Sequence, residues 1–409
     1  MMNAPERGLS LFQRLEATLD GTRLRTPQIE GFEATHGHYE HDDCDREVAL
    51  VLPVGCGKST LIAMLPFATK AGRALLVAPN LYIARQLADE IDPTNPDRNG
   101  LHRRGVVPLD EFWESATLSG EANAGDLAAA DVVITNIQQL AREGNRWLAP
   151  LADDFFDVIV MDEAHHNVAA SWQRLREKFP RAKIIGLSAT PARTDGQQML
   201  GRVIYSYPIR DAMDNGFIRR LRAVRINPRN LRYVERIGNA EIEVGIDDIR
   251  ALGESDAKFR RSILMSPESL ASIVDASIQR LQGIRTRTGD ARHKIIASAL
   301  NQTHCAQVVE AYRARNMRVD FVHANLGEVV NEEILARLDR HELDVIVQVR
   351  KLGEGFDHPY LTVAAVCNVY SNLTPFLQFV GRVMRKTSER DEEEGVVVFH
   401  AGSNVAKLW

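Results

Sequence analysis

Short, nearly continuous apolar runs recur along this chain in two series, separated by stretches of helical patterning. The first series comprises Ala74–Ala78, Asp131–Thr135, Val158–Met161 and Ile184–Leu187. The second comprises Ile295–Ala297, Val319–Val322, Val345–Val347, Val363–Val366 and Val396–Phe399. Strands without apolar–polar alternation are buried on both faces, the mark of parallel sheets covered by helices. A chain of 409 residues is too long for one ordinary core, so the two series predict an α/β fold of two parallel-sheet lobes in tandem. The expected boundaries are 1–210 for the first lobe, 211–285 for a connector and 286–409 for the second lobe. The connector begins arginine-rich, with Arg219, Arg220, Arg222, Arg225, Arg229, Arg232 and Arg236. It then turns helical, with Leu270, Ile273, Val274, Ile278 and Leu281 on one face. The arginine run is read either as part of a nucleic-acid groove or as a solvated segment with internal ion pairs.

Apolar residues at 44% and charged residues at 26% describe an ordinary globular protein. Cys44, Cys56, Cys305 and Cys367 lie far apart and form no CxxC pair. That spacing argues against a disulfide framework or zinc ribbon and fits a reducing cytoplasm. The first residues lack a basic stretch followed by an apolar run, so no secretory signal is expected. No apolar segment approaches the roughly 20 residues that span a bilayer, so no membrane partner is expected. The net charge of −5 does not advertise nucleic-acid binding, nor does it exclude it, because binding depends on local field.

Val48–Leu52 reads as a strand, and Pro53–Thr60 as a glycine turn into a helix beginning near Lys58. Glycines let backbone N–H groups approach phosphate oxygens, and a helix N-terminus adds a favourable dipole. Gly55, Cys56, Gly57, Lys58, Ser59 and Thr60 are therefore candidate phosphate-binding residues, with Lys58 on the β- and γ-phosphates and the Ser59 hydroxyl on Mg²⁺. The strict Walker spacing places glycine where Leu52 stands, so the match is partial. Asp162 and Glu163 follow the apolar strand Phe156–Met161. A carboxylate there is placed to hold Mg²⁺ through water, and its neighbour to polarise an attacking water. Arg382 and Arg385 are spaced three apart on a predicted helix, so they share a face. Two guanidiniums aimed at a transferring phosphate would offset its charge, and an arginine finger of this kind is typically worth roughly 10³–10⁵ in rate. Each feature has a plain alternative: a glycine turn, a surface acidic pair, a solvated basic helix face. His36, His38, His41 and Cys44 are spaced so that they could bind a metal, against the simpler reading of a solvated loop.

The ordered set of motifs resembles a superfamily 2 helicase core from about Arg25 to Arg385. Arg25-Thr26-Pro27-Gln28 resembles the element whose glutamine reads the adenine edge. Leu52–Ser59 resembles motif I, with Val54 where threonine is common. Asp162-Glu163-Ala164-His165 resembles motif II, extended by His166, and Ser188-Ala189-Thr190 resembles motif III. Gly353-Glu354-Gly355-Phe356-Asp357 resembles motif V, and Gln378–Arg385 resembles motif VI.

The resemblance implies two RecA-like lobes and ATP with Mg²⁺ as cofactors. It implies catalytic roles for Lys58, Asp162, Glu163, Arg382 and Arg385, and nucleotide contacts that add Arg25, Gln28, Gly355, Asp357 and Gln378. It implies nucleic-acid contacts at Pro79, Asn80, Thr135, Asn136, Ser188, Thr190 and Gly353. The glutamine opening motif VI and the segment Ala212–Ile218 resemble the type III restriction subunit branch and its relatives in DNA repair. The expected function is an ATP-driven DNA helicase or translocase in restriction, phage defence or repair. An RNA helicase is the near alternative, and a nucleotide-gated sensing subunit that recruits an effector is the distant one. No nuclease motif is evident, so a nuclease or effector would be a separate subunit or a domain outside this chain.

Overall fold

A computed structural model describes residues 8–118, 124–141, 150–162, 169–189, 201–227, 230–234, 241–245, 257–349, 358–370, 373–388, 391–403 and 405. At 124, 141, 169–171, 230–234, 241–245, 257–259, 324 and 328 the backbone alone is described. Of the residues singled out above, Glu163, Ala164, His165, His166, Thr190, Arg229, Arg236, Gly353, Glu354, Gly355, Phe356 and Asp357 lie outside the described residues. The chain forms two compact units, the first running to Phe217 and the second beginning at Ile218. Among the described residues, no helix is long and apolar enough to cross a membrane.

The first unit is built on seven strands: β1 (Glu47–Val51), β2 (Ala74–Ala78), β3 (Ser115–Thr117), β4 (Val132–Asn136), β5 (Val158–Met161), β6 (Lys183–Ser188) and β7 (Arg202–Ser206). They pair in the order β3-β4-β2-β5-β6-β1-β7, and every pairing is parallel. Strands β2, β4 and β5 are buried at every position, which is why they read as unbroken apolar runs. The helix Lys58–Ala68 joins β1 to β2, and every residue from Thr60 to Ala68 is buried. A helix apolar all round belongs inside a core, not on its surface.

The second unit holds β8 (Leu221–Ile226), an antiparallel pair β9 (Asn230–Val234) and β10 (Glu241–Gly245), then β11 (Lys294–Ala299), β12 (Val319–His323), β13 (Val345–Val349), β14 (Leu361–Cys367) and β15 (Gly395–His400). Six of these make a parallel sheet in the order β12-β13-β11-β14-β15-β8. The segment read from sequence as a connector thus contributes to this unit. Leu221–Ile226 is its edge strand, in register from Leu221 opposite Gly395 to Ile226 opposite His400.

The helix Pro267–Thr288 covers the second sheet. Ser266 caps it by accepting from the Ser269 amide at 3.2 Å, proline sits at its first position, and Gly289 ends it in the left-handed region. Leu270, Ile273, Val274, Ile278, Leu281 and Ile284 are buried and share one hydrophobic core with Ile295, Val345, Val363 and Val398. Truncating a fully buried residue of this kind, such as Ile273, to alanine costs about 2–5 kcal/mol.

The stretch read from sequence as a loop of histidines is in part helical. His36 and His38 lie on the helix Thr26–Tyr39, which starts with Pro27 in its first turn and runs through Gly31 and Gly37. His36 Nδ1 lies 3.1 Å from the Ala68 carbonyl oxygen, and His38 Nε2 lies 2.9 Å from that of Asp45. Among the described residues no group of three or more His, Cys, Asp or Glu is arranged to hold a metal ion.

Candidate nucleotide and nucleic-acid site

A parallel sheet delivers all its strand C-termini to one edge, and crossing connections leave from there. In the first unit, the candidate residues follow those ends. The phosphate loop leaves β1, Pro79 and Asn80 leave β2, Thr135 and Asn136 end β4, Asp162 follows β5, and Ser188 ends β6. The Leu52 amide donates to the Ser188 carbonyl at 2.9 Å, and the Asp162 amide to the Val77 carbonyl at 3.0 Å. Backbone bonds between neighbouring strands therefore fix where the loop and the carboxylate begin.

Gly55 and Gly57 adopt φ of 90° and 85°, in the left-handed region that costs an L-residue about 1–2 kcal/mol. Gly57 is the N-cap of Lys58–Ala68, and no side chain caps that terminus. The first amides of a helix are unpaired within it, so this terminus can accept an anion. Lys58 is half-buried and Ser59 exposed. Cys56 is buried, which pushes its thiol up to about 11 and keeps it un-ionised at neutral pH.

Arg25 and Gln28 meet this same loop. Gln28 is fully buried; its Oε1 accepts from the Arg25 amide at 2.8 Å, and its Nε2 donates to the Gly57 carbonyl at 3.0 Å. A Cβ on Gly57 would collide with that Gln28 amide. The Arg25 guanidinium donates to the Gly55 carbonyl and lies 5.7 Å from the centroid of the Phe217 ring. The structure thus gives both residues the shape of the phosphate loop as a first task.

The candidate nucleic-acid residues divide. Pro79 and Asn80 are half-buried, whereas the side chains of Thr135, Asn136 and Ser188 are buried. Asn80 caps the helix Leu81–Ile91, its Oδ1 accepting from the Ile83 amide at 3.0 Å. Asn136 Oδ1 likewise accepts from the Gln139 amide at 3.0 Å. Gln138, exposed, donates from Nε2 to the Pro79 carbonyl at 2.7 Å and ties the two turns together.

In the second unit, Gln378 lies on the helix Leu373–Val380, but the expected continuous helix through Arg385 is not found. The α-helix stops at Val380, a 3₁₀ turn covers Gly381–Val383, and Arg385 lies beyond it. Gly381 weakens the helix at the point where it tightens. Arg382 is buried and Arg385 half-buried.

Sequence reasoning missed what holds this stretch. The Arg219 amide donates to the Met384 carbonyl at 2.6 Å. The Arg219 side chain is fully buried and donates to Asp391 Oδ2 from Nη2 at 2.5 Å and from Nε at 3.1 Å, and to the Leu361 carbonyl from Nη1 at 3.1 Å. Asp391 also accepts from the Thr387 amide and hydroxyl, both at 2.8 Å. Burial alone would raise the Asp391 carboxyl; the bonds from Arg219 and Thr387 overcome it and hold it at about 2. Nothing in the sequence separates Arg219 from its arginine neighbours, or Asp391 from the acidic run after it. Arg222, in contrast, is exposed and lies 3.7 Å from Glu394.

With this geometry in place, the chain can be set beside known proteins. The family model "Type III restriction enzyme, res subunit" matches residues 21–193, and "Helicase conserved C-terminal domain" matches residues 277–387. IRC3 of Saccharomyces cerevisiae, described as an ATP-dependent helicase, is 19% identical over 279 residues, 65% of this chain and 37% of IRC3. The DNA 3'-5' translocase XPB2 of Sulfurisphaera tokodaii is 23% identical over 357 residues, 82% of this chain and 74% of that protein. This chain therefore spans little more than a third of the one relative and about three quarters of the other.

Among solved structures, a fragment of an HsdR subunit of a type I restriction enzyme from Vibrio vulnificus YJ016 is similar at a TM-score of 0.62 and 18% identity, covering 94% of this chain and 65% of that one. A single-substitution variant of S. cerevisiae Dbp5 bound to RNA and ADP BeF3 is similar at a TM-score of 0.55 and 13% identity, covering 94% of this chain and 90% of that one. These neighbours carry RecA-like tandem lobes, and the two sheets here have that fold. Sequence and architecture agree in their order along the chain, which belongs to the superfamily 2 helicases, in the branch of the type III restriction res subunits.

Proposed function

We propose that this chain is an ATP-hydrolysing motor that moves along DNA. The observation that carries the reading is the phosphate loop: two glycines in left-handed geometry before a helix terminus that no side chain caps, braced by Arg25 and Gln28. That cradle fits a nucleotide triphosphate, with backbone amides and Lys58 meeting its phosphates. Ser59 and Asp162 are oxygen donors of the kind Mg²⁺ takes, and they would hold it. When bound, the ion neutralises charge on the phosphate oxygens. Glu163 orients and polarises the attacking water, and Arg382 and Arg385 offset charge on the transferring phosphate. Gly355, Asp357 and Gln378 complete the nucleotide contacts. Pro79 and Asn80 meet the nucleic-acid backbone directly, joined by Thr135, Asn136, Ser188, Thr190 and Gly353. Backbone contacts carry little sequence information, so binding should be weakly sequence-dependent and strongly salt-dependent.

DNA is favoured over RNA because XPB2, which matches 82% of this chain, is named a DNA translocase. The deciding experiment is ATP turnover measured with duplex DNA, single-stranded DNA and RNA in parallel. Stimulation by DNA supports the motor reading. Stimulation by RNA alone would replace DNA with RNA as the track. Stimulated turnover with neither strand displacement nor translocation would point to a nucleotide-gated sensing subunit that recruits a nuclease or effector.

A further inference from the structure

The helix that opens at the phosphate loop is hydrogen-bonded to the helix that opens at the candidate nucleic-acid turn through Thr60 and Glu90. Thr60, on the first turn of Lys58–Ala68 and buried, donates its hydroxyl to Glu90 Oε1, on the last turn of Leu81–Ile91. The other end of Leu81–Ile91 is capped by Asn80. From there Gln138 reaches the Pro79 carbonyl and links the turn after β4.

Glu90 is held from its other side as well. A Cβ at Gly100 would overlap the Glu90 carboxylate in its present position, so glycine leaves room for it beside the short helix Gly100–Arg103. Gly100 cannot easily give way. Asn99, fully buried, donates to the Asp92 carbonyl at 3.0 Å and accepts from the His102 amide at 2.9 Å, which pins this turn to the end of Leu81–Ile91. Burial raises the Glu90 carboxyl above its ordinary value, opposed by the Thr60 hydrogen bond and by Arg104 and Arg103. Replacing Glu90 alone by an apolar residue would take an acceptor from the buried Thr60 hydroxyl, at a cost in stability. The position of Glu90 suggests a further use.

We infer that Glu90 is a positioning residue that couples occupancy of the phosphate loop to the nucleic-acid turn at Pro79 and Asn80. Phosphate binding acts on the first turn of Lys58–Ala68. Thr60 belongs to that turn, so its displacement bears on Glu90 and hence on a rigid helix whose far end is Asn80. Coupling of this kind needs no contact between Glu90 and either ligand.

The inference rests on the reading that nucleic acid stimulates ATP turnover, and the test separates the two. Basal and nucleic-acid-stimulated kcat and KM are measured for the parent protein and for Glu90→Ala, Glu90→Gln and Gly100→Ala. Glutamine keeps an acceptor for the Thr60 hydroxyl. Alanine at position 100 keeps Thr60 and Glu90 but swings the carboxylate aside. Stimulation should fall about 10-fold in Glu90→Ala and Gly100→Ala, within the ordinary range of inter-site coupling, with basal turnover and KM for ATP unchanged. Glu90→Gln should restore most of it.

Parent-like stimulation in both alanine variants would overturn the inference and leave the motor reading standing. So would an equal loss of basal and stimulated turnover, which marks a merely structural role, or a Glu90→Gln variant as impaired as Glu90→Ala. Should Glu90→Ala fail to fold, Gly100→Ala decides by the same criteria. A parent protein that no nucleic acid stimulates would fail the motor reading, and the inference with it.

Discussion

The phosphate loop of the first unit and the arginine stretch of the second are held by opposite means. Residues 52–60 are shaped by their own glycines, by strand ends beside them and by two residues of one nearby helix, Arg25 and Gln28. Residues 378–385 run out of helix at Val380, and the next turns are held by a buried arginine more than 150 residues upstream, paired with Asp391. One site is written into local backbone geometry; the other depends on a long-range ion pair. Local sites survive when the rest of the lobe loosens, whereas a clamped site fails with its clamp.

The largest expected effect falls on the first unit's chemistry. Glu163→Gln should keep ATP binding and lower turnover by about 10²–10⁴, the range for a lost general base. Nucleotide titration beside a phosphate-release assay checks it, and parent-like hydrolysis would remove Glu163 from catalysis. Lys58→Ala should instead weaken nucleotide binding itself; unchanged affinity would count against the loop.

Next in size is the clamp. Arg219→Ala strands Asp391 in the interior, and breaking a buried pair this way costs about 3–5 kcal/mol. Hydrogen exchange should rise in β8, β14 and β15 while β1, β5 and β6 stay protected. Equal loosening of both sheets would erase the contrast drawn above. Acid offers a gentler version of the same test. The folded Asp391 carboxyl titrates at about 2, below its ordinary range, so its stabilisation is complete above the unfolded value and is lost as pH falls through the folded one. Asp344, bonded to Arg318 and Arg285 against the cost of its burial, is depressed in the same sense. The second unit should therefore lose protection as pH drops from about 4 towards 2. Asp391→Asn should flatten that dependence.

The same contrast explains what the sequence disclosed. Every apolar run of both series falls on a strand, and all but the one on the edge strand Val319–His323 lie on central strands, which are apolar on both faces whatever their neighbours. The strands that escaped notice are edges. Ser115–Thr117 is too short to pattern, and Arg202–Ser206 and Leu221–Ile226 have no fully buried position and carry arginine. The phosphate loop was legible because its glycines and lysine sit side by side. Arg219, Asp391 and Glu90 were not, because a lone charge in sequence does not say whether its partner will be water or another residue far along the chain.

Smaller effects sharpen the comparison. Gly57→Ala forces a left-handed φ on an L-residue and pushes on Gln28, so a loss of about 1–2 kcal/mol is expected from backbone alone. Nucleotide affinity should fall with it, and a thermal melt with and without nucleotide separates the two. The smallest effect concerns the arginine run. Arg222 and Arg225 point outward on the edge strand β8, and Arg222 already faces Glu394 at 3.7 Å. An exposed pair of that kind contributes about 0–1 kcal/mol. Reversing both to glutamate should leave stability nearly unchanged. If the pair is only a solvated edge, the slope of log affinity against log salt for DNA should also be unchanged. A slope smaller by about 0.9 for each arginine would place β8 against the phosphates and extend the nucleic-acid path onto a strand that owes its position to the Arg219 clamp.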